Sequence, residues 1–178
     1  MNLVVADSSP LMALASSGHL DILFAIVREI VVPETVFQEC IVNKGKPGAS
    51  DIRDAVVAGR IQKVADPEIG VFGNIEDLDI GEALALSLAT IMKSPILIDD
   101  QIGREVAMAH NIGVIGGSGI LLQAKKQGLI LKVEPIIKTW MDVIGYRLSD
   151  ALVAKVLAMA GETEHTIGRD QTHQDDLR

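Results

Sequence analysis

The chain has few aromatic residues, and apolar aliphatic residues must supply its core. Aromatic residues make up 3% of its 178 residues, whereas apolar residues as a whole make up 48%. The interior is therefore built from Ala, Val, Ile and Leu, a mixture typical of helices packed on parallel strands. A chain of this length predicts one α/β domain rather than two.

Cysteines and long apolar runs are also scarce. The single cysteine, Cys40, excludes an internal disulfide bond and a cysteine-based zinc site, and it suits a reducing compartment. The N-terminal stretch MNLVVADSSP has no basic region, so it does not resemble a signal peptide. The longest uncharged run, residues 106–124, is interrupted by His110, Asn111 and several glycines, which disfavours a membrane span. We expect a cytoplasmic protein that does not bind a membrane.

Basic residues are outnumbered by acidic ones, 16 to 24, which gives a formal net charge of −8. This charge opposes the phosphate attraction that supplies most of the non-specific affinity for nucleic acids. Any role in nucleic-acid chemistry therefore requires a local cationic patch or bridging metal ions.

Short β-branched runs alternate with longer helical stretches, which predicts a mainly parallel sheet with right-handed crossovers. The predicted strands are 3–6, 29–32, 61–65, 95–98 and 112–115. Ser9 followed by Pro10 predicts an N-cap and a first helical position. The segment 66–78 reads as a loop because of its Gly and Pro content.

The C-terminal third predicts two helices and a tail. Helical patterns cover 134–144 and 149–160, and we interpret them as a C-terminal extension of a single domain that spans residues 1–161. Residues 162–178 are polar and have almost nothing to bury, so we expect a flexible or partner-dependent tail.

Carboxylates follow two of the predicted strands. Asp7 comes directly after strand 3–6, and Asp99 and Asp100 come after strand 95–98. Ligands of parallel sheets bind beyond the carboxyl ends of the strands. If these strands are neighbours, about 4.8 Å apart, the acids repel one another and raise each other's pKa. A divalent cation such as Mg²⁺ or Mn²⁺, which prefers oxygen ligands, would remove the conflict.

Each acid also has a purely structural interpretation. Asp7 could accept backbone N–H bonds in the turn that starts a helix, and Asp99 or Asp100 could be an N-cap beside a solvated neighbour. Glu82 follows Asp79 by three residues, which fits a capping box. Taken singly, none of these acids decides between capping and chemistry.

A further acid lies on the helix predicted after Pro33. Glu39 lies beside an apolar face there, but projection distinguishes it poorly from Gln38. It could equally be a solvated carboxylate.

The combination of motifs resembles a prokaryotic branch of the PIN-domain superfamily over residues 3–162. The stretches that carry the resemblance are VADSSPLMALASSGHLDIL, VVPETVFQEC, DIGEALALSLA, ILIDDQIGREVA, IGVIGGSGILLQAKKQGLI and GYRLSDALVAKVLAMAGE. The resemblance implies a three-layer α/β/α sandwich around a five-stranded sheet of order 3-2-1-4-5. Active members of the superfamily are metal-dependent ribonucleases.

The resemblance also implies which acids form the site. It identifies Asp7, Glu39 and Glu82 as the first three acids of the family pattern. The fourth falls in the Asp99–Asp100 pair. We favour Asp100, because the family acid comes two residues after the last apolar position of its strand, and Asp99 is the close alternative.

Substrate contacts are implied more weakly. Ser8 and Ser9 match a small hydroxyl residue that the family tends to keep beside its first acid. After the fifth predicted strand many relatives have a hydroxyl residue where this chain has Gly117, so a substrate contact from the following Ser118 is less clearly implied. Basic candidates for contacts to the RNA backbone are Arg104, Lys44, Lys46, Lys125 and Lys126.

The implied reaction is hydrolysis of a phosphodiester bond in RNA, with one or two Mg²⁺ or Mn²⁺ ions activating a water molecule and stabilising charge. The resemblance also implies a toxin–antitoxin-type setting, an antitoxin-like protein partner and a homodimer. The alternative function is a non-catalytic PIN-fold protein that binds or regulates another protein. The acidic net charge and the lack of an aromatic stacking stripe favour that alternative, whereas the presence of all four acids argues for a nuclease.

Overall fold

The computed structural model describes residues 1–42 and 47–162, and they form one parallel sheet covered by helices. The strands are β1 (Leu3–Ala6), β2 (Glu29–Pro33), β3 (Gln62–Val64), β4 (Ile96–Leu97) and β5 (Val114–Ile115). All four pairings are parallel, and the order is β3-β2-β1-β4-β5. The structure thus confirms the α/β class and the strand order that the resemblance implied.

Helices follow every strand. They are α1 (Ser8–Ser16), α2 (Leu20–Ile26), α3 (Glu34–Ile41), α4 (Ala49–Val57), α5 (Ile80–Met92), α6 (Gln101–Ala109), α7 (Gly117–Lys126), α8 (Glu134–Asp142) and α9 (Asp150–Met159). The central helix α5 is buried from Gly81 to Ala89 because it is apolar nearly all round. It contacts β1, β2 and β4, and Glu82 in its first turn lines a cleft together with Asp99 and Asp100, which follow β4 at the carboxyl edge of the sheet.

Two local predictions were wrong. Asp7, not Ser9, is the N-cap of α1, and Asp7 Oδ2 accepts the Ser9 N–H at 3.2 Å. Asp is a strong N-cap and β1 ends at Ala6, so the helix begins at once. The predicted loop 66–78 contains a 3₁₀ helix, Gly70–Asn74, because the ring of Phe72 is buried in the core.

The C-terminal helices share the core of the sheet rather than standing apart from it. Trp140 of α8 is fully buried, and its Nε1 donates to Ser17 Oγ at the end of α1, 3.0 Å away. Glu162, the first residue of the predicted tail, accepts hydrogen bonds from Lys125 Nζ at 2.5 Å and from the backbone N–H of Val133 at 2.7 Å. The rest of the predicted tail, 163–178, lies outside the described residues.

No single helix within 1–42 and 47–162 is long and apolar enough to cross a membrane. The helices α1 and α2 reach the required length and composition only as a pair, and that pair is bent by 119°.

Candidate active site

The candidate site lies where β1 and β4 end side by side. Ala6 pairs with Leu97, and the Asp7 N–H donates to the Leu97 carbonyl at 2.9 Å. Asp7 therefore follows β1 at the same edge at which Asp99 and Asp100 follow β4. Strands β1 and β4 are therefore neighbours, as the sequence analysis required.

Three of the predicted acids begin helices that start at this edge. Asp7 caps α1, and Asp100 Oδ1 accepts the Gly103 N–H at 2.9 Å at the start of α6. Glu82 and Asp79 form a reciprocal capping box on α5: Asp79 Oδ1 accepts the Glu82 N–H at 2.8 Å, and Glu82 Oε2 accepts the Asp79 N–H at 3.1 Å. These three acids therefore do make the capping hydrogen bonds that their structural interpretation predicted.

Capping engages only one oxygen of each of these carboxylates. Asp7 uses Oδ2, Glu82 uses Oε2 and Asp100 uses Oδ1. In the part of the chain that the structure describes, the second oxygen of each accepts no hydrogen bond of normal geometry. Capping and ligand binding are therefore compatible in these side chains.

The Asp7 carboxyl is 2% exposed, and this burial is the main cause that raises its pKa to about 7. The backbone N–H groups of Ser8 and Ser9 lower the pKa, while the charges of Glu82 and Asp79 raise it again. Desolvation and the neighbouring negative charges thus raise the pKa of Asp7 by more than the N–H groups at the helix start lower it.

The Glu82 carboxyl behaves in the same way. Burial raises its pKa to about 7, the Asp79 N–H opposes the rise, and the charges of Asp79, Asp100 and Glu39 add to it. Because these charges act on one another, the acids form one electrostatic cluster.

Glu39 extends from α3 into this cluster. Its carboxylate lies directly over Gly81 of α5, and a Cβ atom added to Gly81 would come within 2.7 Å of Glu39 Oε2. Burial raises the pKa of Glu39, the Ser8 hydroxyl lowers it, and the charge of Asp79 raises it. The neighbouring Gln38 is exposed and turned away. The structure therefore identifies Glu39 as the side chain that faces the other acids.

Asp99 lines the same cleft as Glu82 and Asp100, but both of its oxygens already accept hydrogen bonds. The Gly117 N–H, at the start of α7, donates to both of its oxygens, at 2.9 and 3.1 Å, and the Tyr146 hydroxyl donates to Oδ2. Burial raises the pKa of Asp99, although these bonds and the charge of Arg104 lower it. Asp99 thus joins β4, α7 and the segment before α9.

The residues that the sequence predicted more weakly to contact substrate line two clefts. A cleft of about 430 Å³ beside the acids is lined by Ser9, Arg104 and Ser118 together with Glu82 and Asp100. A second cleft is lined by Ser8 and Glu39, and Ser9 lines both clefts. The remaining basic candidates are elsewhere: Lys125 pairs with Glu162, Lys126 lines a different surface, and Lys44 and Lys46 lie outside the described residues.

Three residues at the site were missed as site residues by sequence reasoning. Asp79 was recognised only as a cap, although its spacing from Glu82 already directed its carboxylate to the start of α5. Tyr146 and Arg147 line the 430 Å³ cleft from a segment that follows α8. No local pattern connects Tyr146 with Asp99, because 47 residues separate them.

Cys40 lies beneath the acids and does not act as a nucleophile. It is buried, and burial together with the charges of Asp7 and Glu39 raises the pKa of its thiol to about 12. The thiol therefore stays protonated at neutral pH, and the chemistry of the site belongs to oxygen atoms.

No basic side chain of residues 1–42 and 47–162 forms an ion pair with Asp7, Glu39, Glu82 or Asp100. The donor set contains only oxygen, and the elevated pKa values show that its charge is poorly compensated. Within the same residues, no three Asp, Glu, His or Cys side chains converge closely enough to ligate one ion by themselves. This arrangement fits Mg²⁺, which keeps several waters and binds through one or two carboxylates plus substrate phosphate. It does not fit an ion that needs a complete shell of protein ligands.

A protein-family model described as a PIN domain matches residues 3–162. No curated protein matches the chain. PIN domains are usually nucleases and typically use divalent metal ions. The match spans most of the chain and agrees with the strand order, so the chain belongs to the PIN-domain family.

Proposed function

We propose that this protein is a metal-dependent endoribonuclease. The observation that carries the proposal is the cluster of Asp7, Glu39, Glu82 and Asp100 at the carboxyl edge of a PIN-type sheet, where burial, and then neighbouring carboxylates, raise the pKa of Asp7, Glu39 and Glu82. A structural scaffold gains nothing from burying like charges together. A site that binds a hard cation does, since the cation reverses the sign of the local charge and makes the edge attractive to a phosphodiester.

The residues proposed to hold Mg²⁺ or Mn²⁺ are Asp7, Glu82 and Asp100, each through the oxygen that does not cap a helix. One or two of them would bind the ion directly and the others through water. Glu39 lies over Gly81, and its charge acts on Glu82. The ion, when bound, would activate water and stabilise the charge on the phosphate. Asp99 is proposed to position the start of α7 rather than to bind the ion, because both of its oxygens are already occupied.

The chain's own groups would orient the substrate around this cluster. The hydroxyls of Ser9 and Ser118 line the 430 Å³ cleft, and Arg104 adds a cation to it. The starts of α1, α5 and α6 bring partial positive charge to the same edge, which stabilises the ionised carboxylates.

The test compares the wild type with Asp7→Asn, Asp100→Asn and Asp99→Asn on single-stranded and structured RNA with Mn²⁺. Asp54→Asn is the matched control, since Asp54 is exposed on α4. We expect Asp7→Asn and Asp100→Asn to lose both cleavage and Mn²⁺ binding by calorimetry, and Asp54→Asn to keep both. Asp99→Asn is expected to bind Mn²⁺ and to cleave more slowly.

Two outcomes would overturn the proposal. Equal cleavage by wild type, Asp7→Asn and Asp100→Asn would show that another site or a contaminant acts. Absence of Mn²⁺ binding and of cleavage in the wild type would favour the non-catalytic binding protein instead.

The proposal includes a toxin–antitoxin-type setting with an antitoxin-like partner, and a homodimer, both on the strength of the family resemblance. Light scattering during size-exclusion chromatography tests the homodimer, which is expected to have twice the chain mass of 19.0 kDa. A mass of one chain at micromolar concentration would contradict it.

A further inference from the structure

The cleft beside the acids contains two arginines that have no carboxylate partner among the described residues. Arg104 extends from α6 and Arg147 from the segment before α9, and both line the 430 Å³ cleft with Glu82 and Asp100. The ion pairs found in the described residues involve only lysines. Two guanidinium groups without an ion-pair partner in the described residues thus lie in the cleft of the carboxylates, and Arg104 lowers the pKa of Asp99 without forming an ion pair with it.

Arg104 is fixed at the inner end of the cleft. Its Nη1 donates to the Ile98 carbonyl at 3.3 Å, and the same atom lies 2.8 Å from where a Cβ of Gly116 would be. The guanidinium therefore lies over the chain just before α7, and within residues 1–42 and 47–162 its remaining N–H groups donate to no other group.

Arg147 is held by its neighbours on both sides. The Tyr146 N–H donates to the Trp140 carbonyl at 2.8 Å, and the Tyr146 hydroxyl donates to Asp99. Two residues after Arg147, Ser149 caps α9 by accepting the Leu152 N–H at 3.2 Å. The backbone at Arg147 is therefore tied to the rim of the site, whereas its side chain is exposed.

We propose that Arg104 and Arg147 form a clamp for the phosphate backbone of a single RNA strand where it passes the acidic cluster. The inference rests on the proposed function and specifies its substrate. A chain of net charge −8 needs local cations to bind RNA, and the guanidinium fork matches phosphate oxygens bidentately. A cleft of about 430 Å³ has the size of a small-ligand site. It admits one or two nucleotides of a single strand and not a double helix.

The test measures RNA binding in proteins that all carry Asp7→Asn, so that the RNA stays intact. The probe is a fluorescein-labelled, unstructured 12-nucleotide RNA, and its dissociation constant is measured by fluorescence anisotropy over a series of KCl concentrations. Arg147→Gln is compared with Arg28→Gln, an exposed arginine at the amino end of β2, on the opposite edge of the sheet. Both variants change the net charge equally, so a difference between them reports position.

We expect Arg147→Gln to reduce the slope of log K against log[KCl] by about 0.7, the value for one contact to a single strand, which corresponds to about fivefold weaker binding at 0.1 M salt. Arg104→Gln is expected to behave in the same way. Arg28→Gln is expected to match the Asp7→Asn parent. Arg147→Lys should keep the slope and lose affinity, because lysine preserves the charge but not the fork.

The clamp is refuted if Arg147→Gln and Arg28→Gln have the same slope and affinity. The single-strand assignment is refuted if a duplex of the same sequence binds as tightly as the strand. Refutation of the clamp alone leaves cleavage by the otherwise unmodified protein intact, with Asp7 and Asp100 still required for it. If the proposed function itself is wrong, that protein cleaves no RNA and binds no Mn²⁺.

Discussion

Asp7→Asn is expected to stabilise the metal-free protein while it removes the proposed activity. Asp7 is 2% exposed and has a pKa of about 7 in the folded protein, against 3.8 for the free side chain. At pH 8 folding must therefore bury an ionised carboxylate beside Glu82 and Asp79. Asparagine removes that charge, and its side-chain oxygen can still accept the Ser9 N–H that caps α1.

The magnitude follows from linkage between protonation and folding. A rise from 3.8 to about 7 spans about three pH units. At about 1.4 kcal/mol per unit, the ionised Asp7 lowers the free energy of unfolding by at most about 4 kcal/mol. The folded state binds more protons than the unfolded chain between pH 4 and 7, so stability falls as pH rises through that window and is constant above it. Glu82 contributes in the same direction, since its pKa is also about 7.

The assay is urea unfolding with EDTA, at half-unit steps from pH 5 to pH 8. The wild type is expected to lose at most about 4 kcal/mol of stability between pH 5 and pH 7, because Asp7 and Glu82 contribute about 2 kcal/mol each. Asp7→Asn, which keeps Glu82, should lose about half as much and be the more stable protein at pH 8. Asp54→Asn, on the exposed face of α4, is the control and should follow the wild type. In a parallel series without EDTA, free Mn²⁺ at 100 times its dissociation constant should stabilise the wild type by about 2.7 kcal/mol and leave Asp7→Asn unchanged.

Two results would refute this reasoning. A wild-type stability that does not change between pH 5 and pH 8 would mean that the Asp7 and Glu82 carboxyls are well compensated in the fold. Destabilisation by Asp7→Asn at pH 8, with no effect from Asp54→Asn, would mean that the ionised cap stabilises α1 by more than its burial costs.

Two further substitutions separate the site from the scaffold. Gly81→Ala places a methyl group against the Glu39 carboxylate, so RNA cleavage should fall at least tenfold while urea unfolding changes by no more than about 1 kcal/mol; Gly119→Ala meets no atom within 4 Å and should leave cleavage intact. Cleavage retained by Gly81→Ala would show that the position of Glu39 is immaterial. Glu162→Gln removes the charge of a carboxylate that pairs with Lys125 and also accepts two backbone N–H groups. It should lower the free energy of unfolding by about 2 kcal/mol. Glu134→Gln breaks only an exposed pair and should cost about 0.5 kcal/mol; equal losses would contradict the anchoring role of residue 162.

The sheet could be predicted from the sequence because its strands are short, β-branched and separated by helices. Every predicted strand overlaps an observed one, and the order came from the family resemblance. Strand ends were predicted less well, since β4 and β5 are only two residues long. The helix starts depended on competition between adjacent caps, and Asp7 prevailed over Ser9 at α1.

The different hydrogen-bond partners of Asp99 and Asp100 could not be derived from local sequence. It depends on Tyr146 and Gly117, which reach Asp99 from 47 and 18 residues away. Likewise, nothing in the sequence of α3 shows that Glu39 lies over Gly81. Such contacts arise only when elements distant in sequence pack together.

Capping and metal binding, which the sequence presented as alternatives, require different properties of the Glu82 side chain. One substitution at Glu82 can therefore distinguish the two roles. A capping box accepts Gln as readily as Glu, because an amide oxygen reaches the same backbone N–H of Asp79. If capping were the whole role of Glu82, Glu82→Gln would leave Mn²⁺ affinity and RNA cleavage unchanged. A ligand for a hard cation instead needs the charge, so the same substitution should abolish both while the metal-free protein becomes more stable at pH 8. The helix starts hold these carboxylates in place without neutralising them, and it is this uncompensated charge that the proposed cation would bind.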